Sequence, residues 1–197
     1  MRAIFIRHGQ STGNAGIPTY DLSLLELTEL GWQQATDVAE KWTETPSLIV
    51  TSPYLRTQQT AAPTVERFPD APVEVWPIQE FTYLQPHRWN GTLSAERMPF
   101  IERYWSEADP EYRDGEGAES FAALRIRARA TLHRLSGMAD DALLYLFSHG
   151  QFIQALRSLV TDREKSDRET MRDFWRQGDP AIGNGELVRL EWTGSIW

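Results

Sequence analysis

Two of the four histidines in this chain stand in the same local pattern. Ala3-Ile4-Phe5-Ile6 leads into Arg7-His8-Gly9, and Ala142-Leu143-Leu144-Tyr145-Leu146-Phe147 leads into Ser148-His149-Gly150. A short apolar run that stops at a polar residue, a histidine and a glycine reads as a buried strand. It delivers an imidazole to the rim of a sheet, where open α/β sheets bind ligands. After His8 the chain continues Gln10-Ser11-Thr12-Gly13-Asn14. Glycine lets the backbone approach an anion, Ser11 and Asn14 are neutral donors and Arg7 is cationic, so residues 7–14 read as a phosphate-holding loop. The chemistry such a place permits is phosphoryl transfer. A neutral imidazole attacks phosphorus when one ring nitrogen is unprotonated and the other donates a hydrogen bond that fixes the tautomer. Taken alone, a strand end with a polar cap and a hydrogen-bonded structural histidine accounts for Arg7-His8-Gly9 equally well.

Further segments break that tie. Thr51-Ser52-Pro53-Tyr54-Leu55-Arg56-Thr57-Gln58-Gln59-Thr60-Ala61 puts Arg56 just past a strand and a Ser-Pro step, in the first turns of a helix close to the same rim. Glu80 follows another apolar stretch, and Glu119-Ser120 is followed by Arg127 seven residues beyond the serine. Together with Leu27-Thr28-Glu29-Leu30-Gly31-Trp32-Gln33-Gln34-Ala35, these motifs run in order from residue 3 to about residue 153. The set resembles the histidine phosphatase superfamily, the phosphoglycerate-mutase-like enzymes.

The resemblance implies a three-layer α/β/α sandwich on a mostly parallel central sheet, with a lid insertion at about 82–116. It assigns His8 the role of nucleophile, through a phosphohistidine intermediate. Arg7, Arg56 and His149 would surround the phosphoryl oxygens, with Ser11, Asn14 and the Gly150 amide adding donors. Glu80 would give a proton to the leaving oxygen and later take one from water. Phe81-Thr82-Tyr83 departs from the family's usual context after that acid, and Glu116 and Glu119 are the alternatives to it. The implied activity is a metal-independent phosphatase with no cofactor, acting on a small phosphomonoester. A mutase returning the phosphoryl group to another hydroxyl, and a phosphate-binding module without turnover, are the rivals. Mutases of this family are longer, which favours hydrolysis. A phosphoprotein is an alternative substrate.

The elements that must position these residues follow from periodicity. Trp32, Ala35, Val38, Ala39 and Trp42 form a helical stripe over 28–43, with Thr28 as N-cap. Leu48-Ile49-Val50 reads as a buried strand, Ser52-Pro53 opens a second helix with proline in its first turn, and Val73-Glu74-Val75-Trp76 alternates as a strand. Phe121, Leu124, Ala128, Leu132 and Leu135 make 118–136 a long amphipathic helix. The apolar run 142–147 is a central strand, followed by helices over 150–160 and 166–176 and a last strand at 187–190. Strands alternating with helices make this an α/β protein on a mostly parallel sheet. Residues 82–116 fit the alternation poorly and read as a lid. Its aromatics, Phe81, Tyr83, Trp89, Phe100, Tyr104, Trp105 and Tyr112, read as a small core holding it together, with contact to an apolar substrate group as the alternative. Arg88, Arg97 and Arg103 either pair with nearby acids such as Glu96, Glu102 and Glu107 or meet a second anionic group. His87 lies in this lid, and His133 reads as a structural residue of the long helix.

The chain has 197 residues, a length that fits one domain. With 20 Lys and Arg against 28 Asp and Glu, its formal charge is −8, which argues against nucleic acid as a partner. There is no cysteine, so neither disulfides nor thiolate chemistry arise. That absence, with no signal-peptide pattern and no apolar run of membrane-spanning length, leads to the expectation of a cytoplasmic protein without a membrane partner. No histidine pair has helical zinc spacing, and there is no P-loop and no Gly-x-Ser-x-Gly elbow, so no metal ligands are expected. Gly115-Glu116-Gly117 lacks a preceding strand and reads as a turn. Substrate identity and oligomeric state are not written in these features.

Overall fold

A computed structural model describes residues 1–18, 20–176 and 182–191. Its five strands are β1 (Arg2–Arg7), β2 (Leu48–Thr51), β3 (Val73–Val75), β4 (Leu143–Ser148) and β5 (Leu187–Glu191). They form one sheet in the order β3-β2-β4-β1-β5, parallel except for the antiparallel edge strand β5. The helices are α1 (Glu29–Glu40), α2 (Leu55–Arg67), α3 (Ser94–Glu107), α4 (Phe121–Ser136), α5 (Gly150–Thr161) and α6 (Asp167–Arg176). Among the described residues no helix is long and apolar enough to cross a membrane.

The central strands are apolar at nearly every position because both faces are covered. Successive side chains of a strand point to opposite faces, so Ala3, Phe5, Val50, Leu144 and Leu146 enter one core. Ile6, Ile49, Leu143, Tyr145 and Phe147 enter the other. The first core is closed by Leu124 and Ala128 of α4, Phe152 and Leu156 of α5, and Met171 and Phe174 of α6. The second is closed by Val38 and Ala39 of α1 and Ala61 of α2, with the Trp42 and Tyr145 rings stacked 3.9 Å apart. This is the expected three-layer sandwich with a mostly parallel sheet.

Three local expectations change. Pro53 lies ahead of the second helix rather than in its first turn, because Tyr54 is the N-cap and α2 begins at Leu55. Trp32 stands on the exposed side of α1, while Trp42 is buried just beyond the helix end. The lid is also more regular than its composition implies, since α3 occupies Ser94–Glu107 in spite of Pro99 within it. The helix is stabilised by burial of Tyr104 and Trp105, whose rings contact Phe81 and Phe121. The long helix starts at Phe121, with Ser120 as N-cap accepting from the Ala123 amide.

Candidate active site

β4 lies between β1 and β2, so the C-terminal ends of three parallel strands meet at one rim. Arg7 pairs with Ser148 in the sheet register, and the His8 amide continues the ladder to the Ser148 carbonyl at 3.0 Å. The two histidines therefore emerge side by side, their rings 5.1 Å apart. The loop after β1 is fixed by close packing against the start of α1. A Cβ on Gly9 would overlap the Gly31 carbonyl, and one on Gly31 would overlap the Gln10 carbonyl. Thr28 caps α1 by accepting from Gly31 N (3.1 Å) and donates to Gln10 Oε1 (2.8 Å), tying the same loop to the helix.

Arg56, buried at the first turn of α2, joins the two imidazoles. Its Nε donates to His8 Nε2 (3.1 Å), its Nη2 to His149 Nδ1 (3.0 Å) and its Nη1 to the Leu22 carbonyl (2.6 Å). A guanidinium only donates, so each facing ring nitrogen must be the unprotonated one. The other nitrogens then carry the protons: His8 Nδ1 donates to the Gly9 carbonyl (2.7 Å) and His149 Nε2 to Ser52 Oγ (2.8 Å). Burial first, and then the Arg56 charge, lowers both imidazole pKa values well below 6.5. Both rings are neutral near pH 7. Burial likewise lowers the pKa of Arg56, to about 10, against the pull of Glu80, so the guanidinium stays charged.

Glu80 comes from the segment after β3. Its Oε1 accepts from the Gln151 amide in the first turn of α5 and from Phe81 N, both at 3.1 Å, so the carboxyl sits at the positive end of that helix. Gly150 is the first residue of α5, and the buried Arg7 guanidinium lies against it and donates to the Ile182 carbonyl. Ser11 and Asn14 line the cavity, but they also bond each other. Ser11 N and Oγ both donate to Asn14 Oδ1 (3.1 and 3.0 Å), leaving the Asn14 amide nitrogen as the donor of this pair. Arg7, His8, Ser11, Asn14, Arg56 and Glu80 thus share a cavity of about 190 Å³. A second cavity of about 260 Å³ adjoins it, sharing Leu22, Arg56, Glu80 and Arg97 and walled by Tyr54, Phe81, Tyr83, Trp89 and Ile101.

Some contributors are not conspicuous in the sequence. Asn184 Nδ2 donates to the His8 carbonyl (2.9 Å) from the turn before β5. Thr60 Oγ1 accepts from Gly9 N (3.1 Å), and the Tyr54 ring packs on Arg56 and His149. The remaining histidines and acids lie outside both cavities. His87 and His133 are exposed and line neither cavity, as is Glu116. Glu119 is paired with Arg127 at 2.7 Å. Among the described residues no three His, Cys, Asp or Glu side chains gather to hold a metal ion.

The family model for the histidine phosphatase superfamily (branch 1) matches residues 3–197. The chain belongs to that superfamily. No curated protein sequence matches it, but solved structures do. Mycobacterial glucosyl-3-phosphoglycerate phosphatase in its native form is 26% identical, covering 100% of this chain and 97% of its own, with a TM-score of 0.71. The same enzyme in complex with VO3 is 28% identical over 99% and 94% of the two chains, with a TM-score of 0.72. A phosphoserine phosphatase mutant from Entamoeba histolytica, 22% identical over 98% and 92%, shares the fold with a TM-score of 0.75.

Proposed function

We propose that this histidine phosphatase superfamily member hydrolyses a small phosphomonoester without a metal, through a phosphohistidine on His8. The observation that carries the reading is the pair of bonds on His8, with Nδ1–H fixed to the Gly9 carbonyl and Nε2 unprotonated against Arg56. The ring is held in the tautomer that a nucleophile needs, before any substrate arrives.

In the first step His8 Nε2 forms the N–P bond as the ester P–O bond breaks, and a protonated Glu80 gives its proton to the leaving oxygen. In the second, Glu80 as carboxylate takes a proton from water, whose oxygen attacks phosphorus as the N–P bond breaks. Phosphate leaves and Glu80 is again the acid. Arg7, Arg56 and the Asn14 amide line the cavity and would meet the phosphoryl oxygens, and this reading adds His149 and the Gly150 N–H at the start of α5, which lie behind the cavity wall; each aimed donor would stabilise the transition state by a few kcal/mol. His149 Nδ1 is an acceptor in the free site, so its donation to a phosphoryl oxygen needs a proton taken up with the substrate. The mycobacterial glucosyl-3-phosphoglycerate phosphatase, similar over nearly the full length of both chains, supports hydrolysis over phosphoryl return.

The test is phosphate release from an aryl phosphate in the presence of chelator. Wild type is expected to turn over, and His8→Ala to lose about three orders of magnitude or more in kcat. Labelled phosphate should appear on wild-type histidine after acid-free denaturation. Activity retained by the variant would remove His8 as nucleophile. Phosphoryl exchange between two positions of one substrate would make the chain a mutase, and phosphate binding without turnover would make it a binding module.

A further inference from the structure

The three lid arginines that sequence alone leaves open meet different fates. Arg103 pairs with Glu107 at 2.8 Å on an exposed helix face. The Arg88 guanidinium lies over the Trp89 and Phe100 rings, 5.0 and 4.9 Å from their centroids. Arg97, half-buried on α3, lines both the cavity of His8 and the larger one beyond Glu80. It has no carboxylate partner among the described residues. Instead its Nε and Nη2 donate to the Leu93 and Thr92 carbonyls at 3.5 and 3.1 Å, which fixes the guanidinium to the lid backbone. A guanidinium has five N–H donors, so three remain, in the planar fork that suits a carboxylate.

We propose that Arg97 is a specificity-determining residue that binds a carboxylate carried by the leaving group of the phosphomonoester. The inference rests on the phosphatase reading of the site. Its charge balance selects the ligand. Arg56, Glu80 and Arg97 are the charged residues lining the larger cavity. Arg56 is committed to the two histidines and the phosphoryl group, and Glu80 is the acid, so one positive charge is left to meet the leaving group. A single carboxylate balances it, whereas a second phosphate dianion would leave excess negative charge beside Glu80. The remaining wall is apolar or aromatic, including Phe81, Trp89 and Ile101, and accepts an uncharged ring or short chain between the two anionic ends.

The experiment compares 4-carboxyphenyl phosphate with its neutral isostere 4-carbamoylphenyl phosphate in wild type and Arg97→Gln. The wild-type preference in kcat/KM for the carboxylate should fall tenfold or more in the variant, with Arg97→Lys intermediate. A loosened lid, or an Arg97 that touches only the phosphoryl group, lowers both substrates alike. An unchanged ratio of that kind overturns the proposal. Calorimetric binding of the corresponding two aryl phosphonates reads the same ratio without turnover. A preserved, Arg97-dependent preference in an enzyme that hydrolyses neither ester sinks the phosphatase reading alone. Hydrolysis with no Arg97-dependent preference sinks this inference alone, and an enzyme that neither hydrolyses the esters nor binds the two phosphonates overturns both.

Discussion

His8 and His149 enter the folded protein as neutral rings, and that has a cost at low pH. Below pH 6.5 the unfolded chain binds a proton at each histidine while the buried rings, with pKa values lowered by burial and by Arg56, do not. Stability therefore falls as pH drops from 6.5 toward the lowered folded values, by up to about 1.4 kcal/mol per pH unit for each ring, and levels off below them. Urea midpoints between pH 7 and 5 should show this loss, and the slope should be shallower in His149→Gln. By the same logic the acid limb of kcat/KM that reports free His8 lies below pH 6.5; a limb above 6.5 would contradict the burial. At this scale the two histidines were legible, because an apolar run ending in His-Gly occurs twice. Asn184 was not. It donates to the His8 carbonyl from a Gly-Asn-Gly turn 176 positions away, and a turn signal says nothing of what the turn approaches. Ser11 was legible as a loop donor, but its bond to Asn14 turns it toward building the loop.

Glu80 stands on no helix or strand, so its precision depends on neighbouring elements. Arg127 of α4 donates to the carbonyls of Pro77 (3.0 Å) and Gln79 (2.8 Å), and Ser148 Oγ at the end of β4 donates to Ile78 O (2.7 Å). Glu119 holds the Arg127 guanidinium from the far side with two bonds, at 2.9 and 2.7 Å. Arg127 thus acts on the reaction through the segment that carries the acid. Arg127→Met should lower kcat by about ten- to a hundredfold, as expected when a supporting contact is lost, while KM changes little. An aryl ester with a good leaving group needs less protonation and should be less affected; equal losses for good and poor leaving groups would make the role merely structural. The Glu119, Ser120 and Arg127 spacing was readable, but its purpose was not, because the carbonyls it serves lie about 40 to 50 residues away. The lid helix was more legible than the reading of 82–116 allowed. Ile101, Tyr104 and Trp105 recur at helical spacing and are its buried or half-buried apolar positions, continued by the C-cap Ala108, but Pro99 and a largely exposed outer face obscure the stripe. α2 begins two residues after Pro53 because Ser-Pro there precedes the N-cap, and its buried face joins Thr57, Thr60 and Thr64 to Ala61 instead of forming an apolar stripe.

The whole molecule is an anion, at −8, that carries a small buried cluster of positive charge. A phosphorylated substrate is repelled at long range and attracted only near the rim. Salt at moderate concentration screens the repulsion over distances beyond about 10 Å and leaves the buried contacts largely intact. Capture, read as kcat/KM, should accordingly rise from very low to moderate ionic strength; a monotonic fall would mean that the local cluster dominates at all distances. The architecture was the most legible level, since near-continuous apolar strands alternating with helices leave few alternatives. The order of the strands was not, because periodicity is silent on which strand lies beside which. That order has a consequence in time. β1 and β2 do not pair with each other; β4 completes the sheet between them, and it begins at residue 143. During synthesis the first 142 residues contain the sheet segments that carry His8 and Arg56, with open edges and no strand between them. Closing the gap joins sequence-distant segments, which is a slow step in folding. The active site is therefore absent from the nascent chain until β4 and His149 have been made, and its two histidines meet as that strand fills the gap.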